Sequence, residues 1–138
     1  MISIRIALLF LLFSFGLQAQ GDSLAPGESL FEFDMKYVGS ESRVDPNYRY
    51  ILDYLVEFVE DNDSVQVHVR GHVCCGPSYR LSKKRARKTY RYLIRAGIDK
   101  TRLTYKGYSD ERPLRWPEDT DEDEIANRRV DFVIRKAH

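Results

Sequence analysis

Hydrophobic and polar residues alternate in some stretches of this chain and recur at helical spacing in others. From Leu30 to Val38 (LFEFDMKYV), Phe31, Phe33 and Met35 fall on one side and Glu32, Asp34 and Lys36 on the other. That period of two predicts a half-buried strand. Gly39 to Asp45 interrupts it, and Asp45 followed by Pro46 suits the cap and first turn of a helix. Ile51, Leu52, Leu55, Phe58 and Val59 then recur at three- and four-residue steps, with Asp53, Glu57 and Glu60 on the wet side. Asp61-Asn62-Asp63 ends this helix. Val65, Val67 and Val69 alternate with Gln66, His68 and Arg70 in a second strand. After a loop from Gly71 to Pro77, Ser82 reads as the N-cap of a second helix. It turns Ala86, Tyr90, Leu93 and Ile94 inward and stops at Gly97. Arg102 to Lys106 is a short strand, 107–126 a long acidic connection (loop or short helix), and Arg129 to Ile134 a closing strand. Strands alternating with helices predict an α+β fold, a two-layer sandwich with the helices on one sheet face.

The first 20 residues follow none of these patterns. Arg5 is the only charge before Asp22, and Ile6 to Gly16 is apolar except for Ser14. Leu17 and Ala19 stand where a signal peptidase reads its −3 and −1 positions. A basic start, a short apolar run and a small residue at the cut predict a secretory signal peptide over 1–19. The run is shorter than the roughly 20 residues of a spanning helix, and no cysteine near the cut offers a lipid attachment point. Residues 20–29 (QGDSLAPGES) read as a flexible leader, and the domain is expected over 30–136. The expected location is the periplasm, with outer-membrane association open.

The 138 residues are enough for one domain, and 43% hydrophobic content supplies a core. The formal charge of +1, from 22 basic and 21 acidic side chains, hides a strong asymmetry. Residues 20–63 sum to −8, residues 80–106 to +10 and residues 110–124 to −6. The basic helix, with Lys83, Lys84, Arg85, Arg87, Lys88 and Arg91 and interleaved Tyr79, Tyr90 and Tyr92, reads as a solvated face or a grip on an anionic envelope ligand. Export sets nucleic acid aside as a partner. Cys74 and Cys75 are adjacent, with His72 and His68 nearby. A vicinal disulfide, an intermolecular bridge and reduced thiols packed as small hydrophobes stay open. A zinc site lacks finger spacing and a second C-x-x-C, so neither metal nor cofactor is expected. The acidic run 119–124 lacks the spaced ligands of a calcium loop. No G-x-S-x-G, Walker loop or H-E-x-x-H occurs, and no enzyme activity is expected.

Several short motifs then line up in order: Phe31-Glu32-Phe33-Asp34, Val69-Arg70-Gly71-His72, Leu81-Ser82-Lys83-Lys84-Arg85-Ala86, Tyr92-Leu93, Gly97-Ile98, Arg102-Leu103, Lys106-Gly107-Tyr108, Pro113 and Asn127-Arg128-Arg129-Val130-Asp131. Their order and spacing resemble the OmpA-like C-terminal domain family, the peptidoglycan-binding module of diderm bacteria. The resemblance implies a mixed four-stranded sheet in β-α-β-α-β-β order. It also implies non-covalent binding of a diaminopimelate-containing peptidoglycan stem peptide, or in a degenerate member an envelope protein in place of the wall. Arg85 stands at the family's carboxylate-binding arginine, where a planar fork suits bidentate recognition. Arg128 is a second cation beside the site, and Cys74, Ser78 and His72 shape its rim. In the family an Asp just after G-H-T takes the ligand's ammonium; here Val73-Cys74 replaces Thr-Asp. The loop to Leu81 is shorter, and Ser78 stands where the family has Asn. Losing one charge-assisted partner costs about 1.5–3 kcal/mol.

Overall fold

The computed structural model describes residues 24–136, so the expected signal peptide lies outside the described residues. The elements are β1 (Glu28–Leu30), β2 (Met35–Lys36), α1 (Arg49–Glu60), β3 (Val65–Gly71), α2 (Tyr79–Arg95), β4 (Leu103–Gly107), α3 (Asp121–Asn127) and β5 (Arg129–Lys136). A turn of 3₁₀ helix precedes α1 at Pro46–Tyr48 and another precedes β4 at Lys100–Arg102. Asp45 caps this first 3₁₀ turn and not α1 itself: its carboxylate accepts from Asn47 N–H at 2.8 Å, whereas α1 starts after Tyr48 without a side-chain cap.

β5 is central. β3 lies antiparallel along one side of it with Val69 opposite Phe132, and β4 runs parallel to β3 with Val69 opposite Tyr105. Along its other side β5 pairs with both β1 (Leu30 opposite Val133) and β2 (Met35 opposite Val130). The sheet is therefore mixed and four strands wide, as expected, but its outer lane is made of two short segments. The single strand predicted over Leu30–Val38 breaks between them. Phe31 N–H still donates to Phe132 O at 2.9 Å and Tyr37 N–H to Arg128 O at 2.9 Å, so the lane resumes after the break. Phe31 and Phe33 are drawn instead to the aromatics of α1. Phe31 sits 5.7 Å from Tyr54 and 5.8 Å from Phe58, and Phe33 sits 6.0 Å from Tyr54, between ring centroids. Such ring pairs add about 0.5–1.5 kcal/mol beyond area burial. The alternation recorded that packing, not an unbroken ladder.

The helix-facing side of the sheet forms the core. Leu52, Leu55 and Val59 of α1 and Ala86 and Leu93 of α2 meet Val65, Val67 and Val69 of β3 and Val130, Phe132 and Ile134 of β5. Met35 completes this cluster. α2 ends as the sequence indicated. Gly97 takes φ +109°, its N–H donating to Ile94 O at 3.1 Å while Ile98 N–H reaches Leu93 O at 3.2 Å.

The start of α2 differs from expectation. Ser78, not Ser82, is the N-cap: its backbone is extended and its Oγ accepts from Leu81 N–H at 3.2 Å. Ser82 lies one turn inside, fully buried, donating to Tyr79 O at 3.0 Å and accepting from Ser109 N–H at 3.0 Å. Two glycines permit this. A Cβ on Gly71 would stand 2.8 Å from the Ser82 carbonyl carbon, and one on Gly107 would stand 2.7 Å from Lys83 Cα. Without side chains there, the first turn of α2 rests directly on the ends of β3 and β4.

Candidate ligand-binding site

The C-terminal ends of the parallel pair β3 and β4, the N-terminus of α2 and the loop after β2 meet at one edge of the domain. Ser109 ties them together. It is buried in the left-handed region at φ +56°, donates its N–H to Ser82 Oγ, accepts from Val73 N–H at 3.0 Å, and offers its Oγ to Ser78 N–H at 2.8 Å. The β3–α2 loop that carries Val73 to Ser78 is thereby pinned to the end of β4.

Arg85 projects from α2 beneath this edge with none of its surface exposed. Its guanidinium donates to three backbone carbonyls: Nε to Glu41 at 2.8 Å, Nη1 to His72 at 2.9 Å and Nη2 to Gly39 at 2.7 Å. The Tyr37 ring lies 4.7 Å from its central carbon, a cation–π arrangement. Burial lowers the Arg85 pKa to about 10, with Arg128 pushing in the same direction and Tyr37 opposing. The side chain stays charged at neutral pH. It clamps the loop after β2 to the end of β3 with one planar fork.

Arg128, just past α3, is mostly covered, its side chain 19% exposed. It reaches Glu124 at 3.3 Å, and its Nε is buried without a hydrogen-bond partner. Asn127, the first residue of the N-R-R motif, is fully buried. Its Oδ1 accepts from Leu114 N–H at 2.7 Å and Arg115 N–H at 3.0 Å, and its Nδ2 donates to Arg115 O at 2.9 Å. It staples the long acidic connection. α3, within that connection, starts with a capping box between Thr120 and Asp123.

Behind the edge, on the sheet face opposite the helices, alternation brings Arg70, His72, Arg129 and Asp131 together. Asp131 accepts from Arg70 Nε at 2.6 Å, Arg70 Nη2 at 2.8 Å and Arg129 Nε at 3.0 Å. Both arginines are 1% exposed. Burial alone would raise the Asp131 pKa; the close approach of His72, the hydrogen bonds from Arg70 and the surrounding positive charge reverse that and hold it far below the usual carboxylate range. His72, 1% exposed, has Nε2 3.3 Å from Asp131 and stacks on Tyr108 at 5.7 Å between ring centroids. Burial pulls its pKa down from 6.5 to about 4, and Asp131 offsets only part of that. His72 is neutral, Arg70 and Arg129 both contact the Asp131 carboxylate, and Arg129 Nη1 is buried without a hydrogen bond. Arg112 adds a cation 4.4 Å from the Tyr108 ring.

Cys74 and Cys75 form a vicinal disulfide at the outer rim, Cys75 at φ +63°. Cys75 N–H donates to Glu118 Oε2 at 3.1 Å. Among the residues singled out from sequence, Arg85, Ser78 and the backbone of His72 converge on one edge, and Arg128 lies close enough to depress Arg85. The His72 imidazole lies on the other side of the strand, turned to Asp131. Sequence reasoning missed Tyr37, Asn127, Ser109 and the Arg70–Asp131–Arg129 cluster as parts of this edge. The signal for the last was available: Arg70 and Asp131 occupy the polar positions of two adjacent strands. A shallow groove between Tyr90, Ile94 and Lys100 lies toward the other end of α2. Among the described residues, no helix is long and apolar enough to cross a membrane.

Comparison with known proteins places this arrangement. Among solved structures, the peptidoglycan-associated lipoprotein from Burkholderia pseudomallei is similar with a TM-score of 0.68 and 17% identity, covering 74% of this chain and 89% of that one. The periplasmic domain of Helicobacter pylori MotB gives 0.69 at 16% identity, covering 87% and 86%. The cell wall anchor of the T6SS from Pseudomonas aeruginosa gives 0.65 at 20% identity, covering 81% and 89%. At these identities the likeness is one of fold. Outer membrane porin F of Pseudomonas fluorescens is 31% identical over 107 residues, covering 75% of this chain. The chain spans about a third (32%) of that porin's length. The sequence model of the OmpA family matches residues 37–128, from the tyrosine under Arg85 to the second residue of the N-R-R motif. The chain belongs to the OmpA family.

Proposed function

We propose that this protein is a non-catalytic module of the bacterial envelope that holds peptidoglycan by its stem peptide without a covalent bond. The observation that carries the reading is the concentration of guanidinium groups at one edge. Arg85 and Arg128 lie together under the loops, and Arg70 and Arg129 behind them both pair with the carboxylate of Asp131. Peptide carboxylates suit such a site, because arginine forks bind them bidentately and stay charged when partly dehydrated. The names of two relatives by fold, a peptidoglycan-associated lipoprotein and a cell wall anchor, point the same way. In this reading the signal peptide delivers the chain to the periplasm. Arg85 and Arg128 face ligand carboxylate, while Ser78 and the Cys74–Cys75 loop form the rim. Ligand carboxylate competes with the Gly39 and Glu41 carbonyls for the Arg85 fork, so the loop after β2 yields on binding.

One observation favours a second reading. All three of the hydrogen bonds from Arg85 go to backbone carbonyls of its own chain, and Cys74 cannot accept an ammonium. A module of this kind would keep the fold and dock on an envelope protein. Sedimentation with purified sacculi separates the two. Wild type is expected to pellet with sacculi, and Arg128→Gln and Arg85→Lys to pellet about tenfold less, the loss of one charge-assisted hydrogen bond. Absence of wild type from the pellet, or equal retention of all three proteins, would overturn the wall-binding reading. Absence from the pellet with capture of a defined envelope protein would establish the second.

A further inference from the structure

The rim of the edge carries chemistry that stem-peptide binding does not use. Cys74 Sγ, Cys75 Sγ and a carboxylate oxygen of Glu124 lie within 4.8 Å of one another. They come from two segments, the β3–α2 loop and α3. A second carboxylate oxygen, Glu118 Oε2, stands 3.7 Å from Cys75 Sγ. Cys75 is exposed and Cys74 and Glu124 are half-buried, so the group opens to solvent. Glu124 is oriented by its ion pair with Arg128 at 3.3 Å, the kind of outer contact that fixes a ligating carboxylate.

We propose that the reduced Cys74–Cys75 pair and Glu124, with Glu118 as a neighbouring fourth donor, form a binding site for a thiophilic divalent cation such as Zn²⁺, closed when the two sulfurs are joined. The donor set decides the class of ion. Two thiolates with carboxylate oxygen suit borderline-soft Zn²⁺ or Cd²⁺, whereas Mg²⁺ and Ca²⁺ take all-oxygen shells. A tetrahedral Zn²⁺ spaces its ligand atoms by about 3.5–3.8 Å, so reduction has to let the two sulfurs part and the Glu124 side chain draw in toward them. Nucleophilic thiol chemistry fits the surroundings poorly. Reactive thiolates need nearby positive charge, and here two carboxylates face the sulfurs. The same carboxylates favour a bound cation. Opening the site is thiol–disulfide exchange: a dithiol passes two electrons and two protons to the pair and itself becomes a disulfide. Cation binding then releases the two thiol protons to solvent.

The test uses the full chain, reduced with a dithiol, freed of it under argon and titrated with Co²⁺ alone. One Co²⁺ per chain is expected, with a thiolate-to-cobalt charge-transfer band in the near ultraviolet that one equivalent of Zn²⁺ abolishes. The oxidised chain and a Cys74→Ser/Cys75→Ser variant should show no band. Glu124→Gln, on the surface of α3, should bind at least tenfold more weakly with an unchanged far-ultraviolet CD spectrum. No band in the reduced wild type, equal binding by the oxidised chain, or wild-type affinity in Glu124→Gln would overturn the proposal.

Discussion

Lowering the pH from 7 to 4.5 is expected to remove about 2 kcal/mol of folding stability through His72. In the unfolded chain this imidazole takes up a proton as the pH drops below 6.5; in the fold, burial between Tyr108 and the arginines holds its pKa near 4. The folded state therefore binds fewer protons throughout that window. The stability contributed by neutral His72 is fully present above pH 6.5 and declines by up to about 1.4 kcal/mol per pH unit until the folded group also titrates. Asp131 adds little in this window, because its carboxyl stays ionised in the fold and in the unfolded chain takes up a proton mainly below pH 4.5. His68 does contribute in the same direction, since burial lowers it too. A comparison of wild type with His72→Gln isolates the His72 share. Urea unfolding followed by far-ultraviolet CD at both pH values provides the measurement. With a slope of about 1–2 kcal/mol/M for a domain of this size, the wild-type midpoint should fall by about 1–2 M more than that of His72→Gln. Equal falls in the two proteins would refute the assignment of a neutral, buried His72.

Three further outcomes follow from contacts already described. Asp131→Asn takes away the buried carboxylate that Arg70 and Arg129 both contact and should lose about 3–5 kcal/mol by denaturant titration at pH 7. Gly107→Ala forces a Cβ to 2.7 Å from the Lys83 Cα; a loss of about 1–3 kcal/mol is expected in thermal melts. Ser78→Ala removes the side-chain acceptor for Leu81 N–H and should cost about 1 kcal/mol, whereas Ser82→Ala, were Ser82 the cap, would cost the same through α2 alone. Hydrogen exchange at Ser109 N–H separates the two, rising only in the Ser82 variant.

Much of the fold was legible because burial here follows simple periods. The β3 valines, the α1 leucines and Gly97 each declared their place, and the ordered motifs supplied the sheet. What escaped was decided by contacts distant in sequence. Ser82 stands in a capping context, but only the absence of side chains at Gly71 and Gly107 shows that it is nested between strand ends. Arg70, Arg129 and Asp131 sit at polar positions that an isolated strand would turn to water. The segment that brings Arg112 and Tyr108 over them covers that face. Arg85 was found by motif, but its three carbonyl partners come from Gly39, Glu41 and His72, which no local pattern joins to it. The partner of the cysteine pair likewise comes from α3, nearly fifty residues away.

The central position of β5 has a consequence for how the domain can be assembled. β1, β2 and β3 each pair with it, whereas β3 and β4 are, among the described residues, the one ladder formed without it. A chain emerging from a ribosome can build α1, α2 and the β3–β4 pair early. It cannot close the core until residues 129–136 arrive. Contacts of such long sequence separation slow folding, so the nascent segment stays open until nearly the whole domain is available. A chain cut before Arg129 loses the scaffold shared by the rest of the sheet.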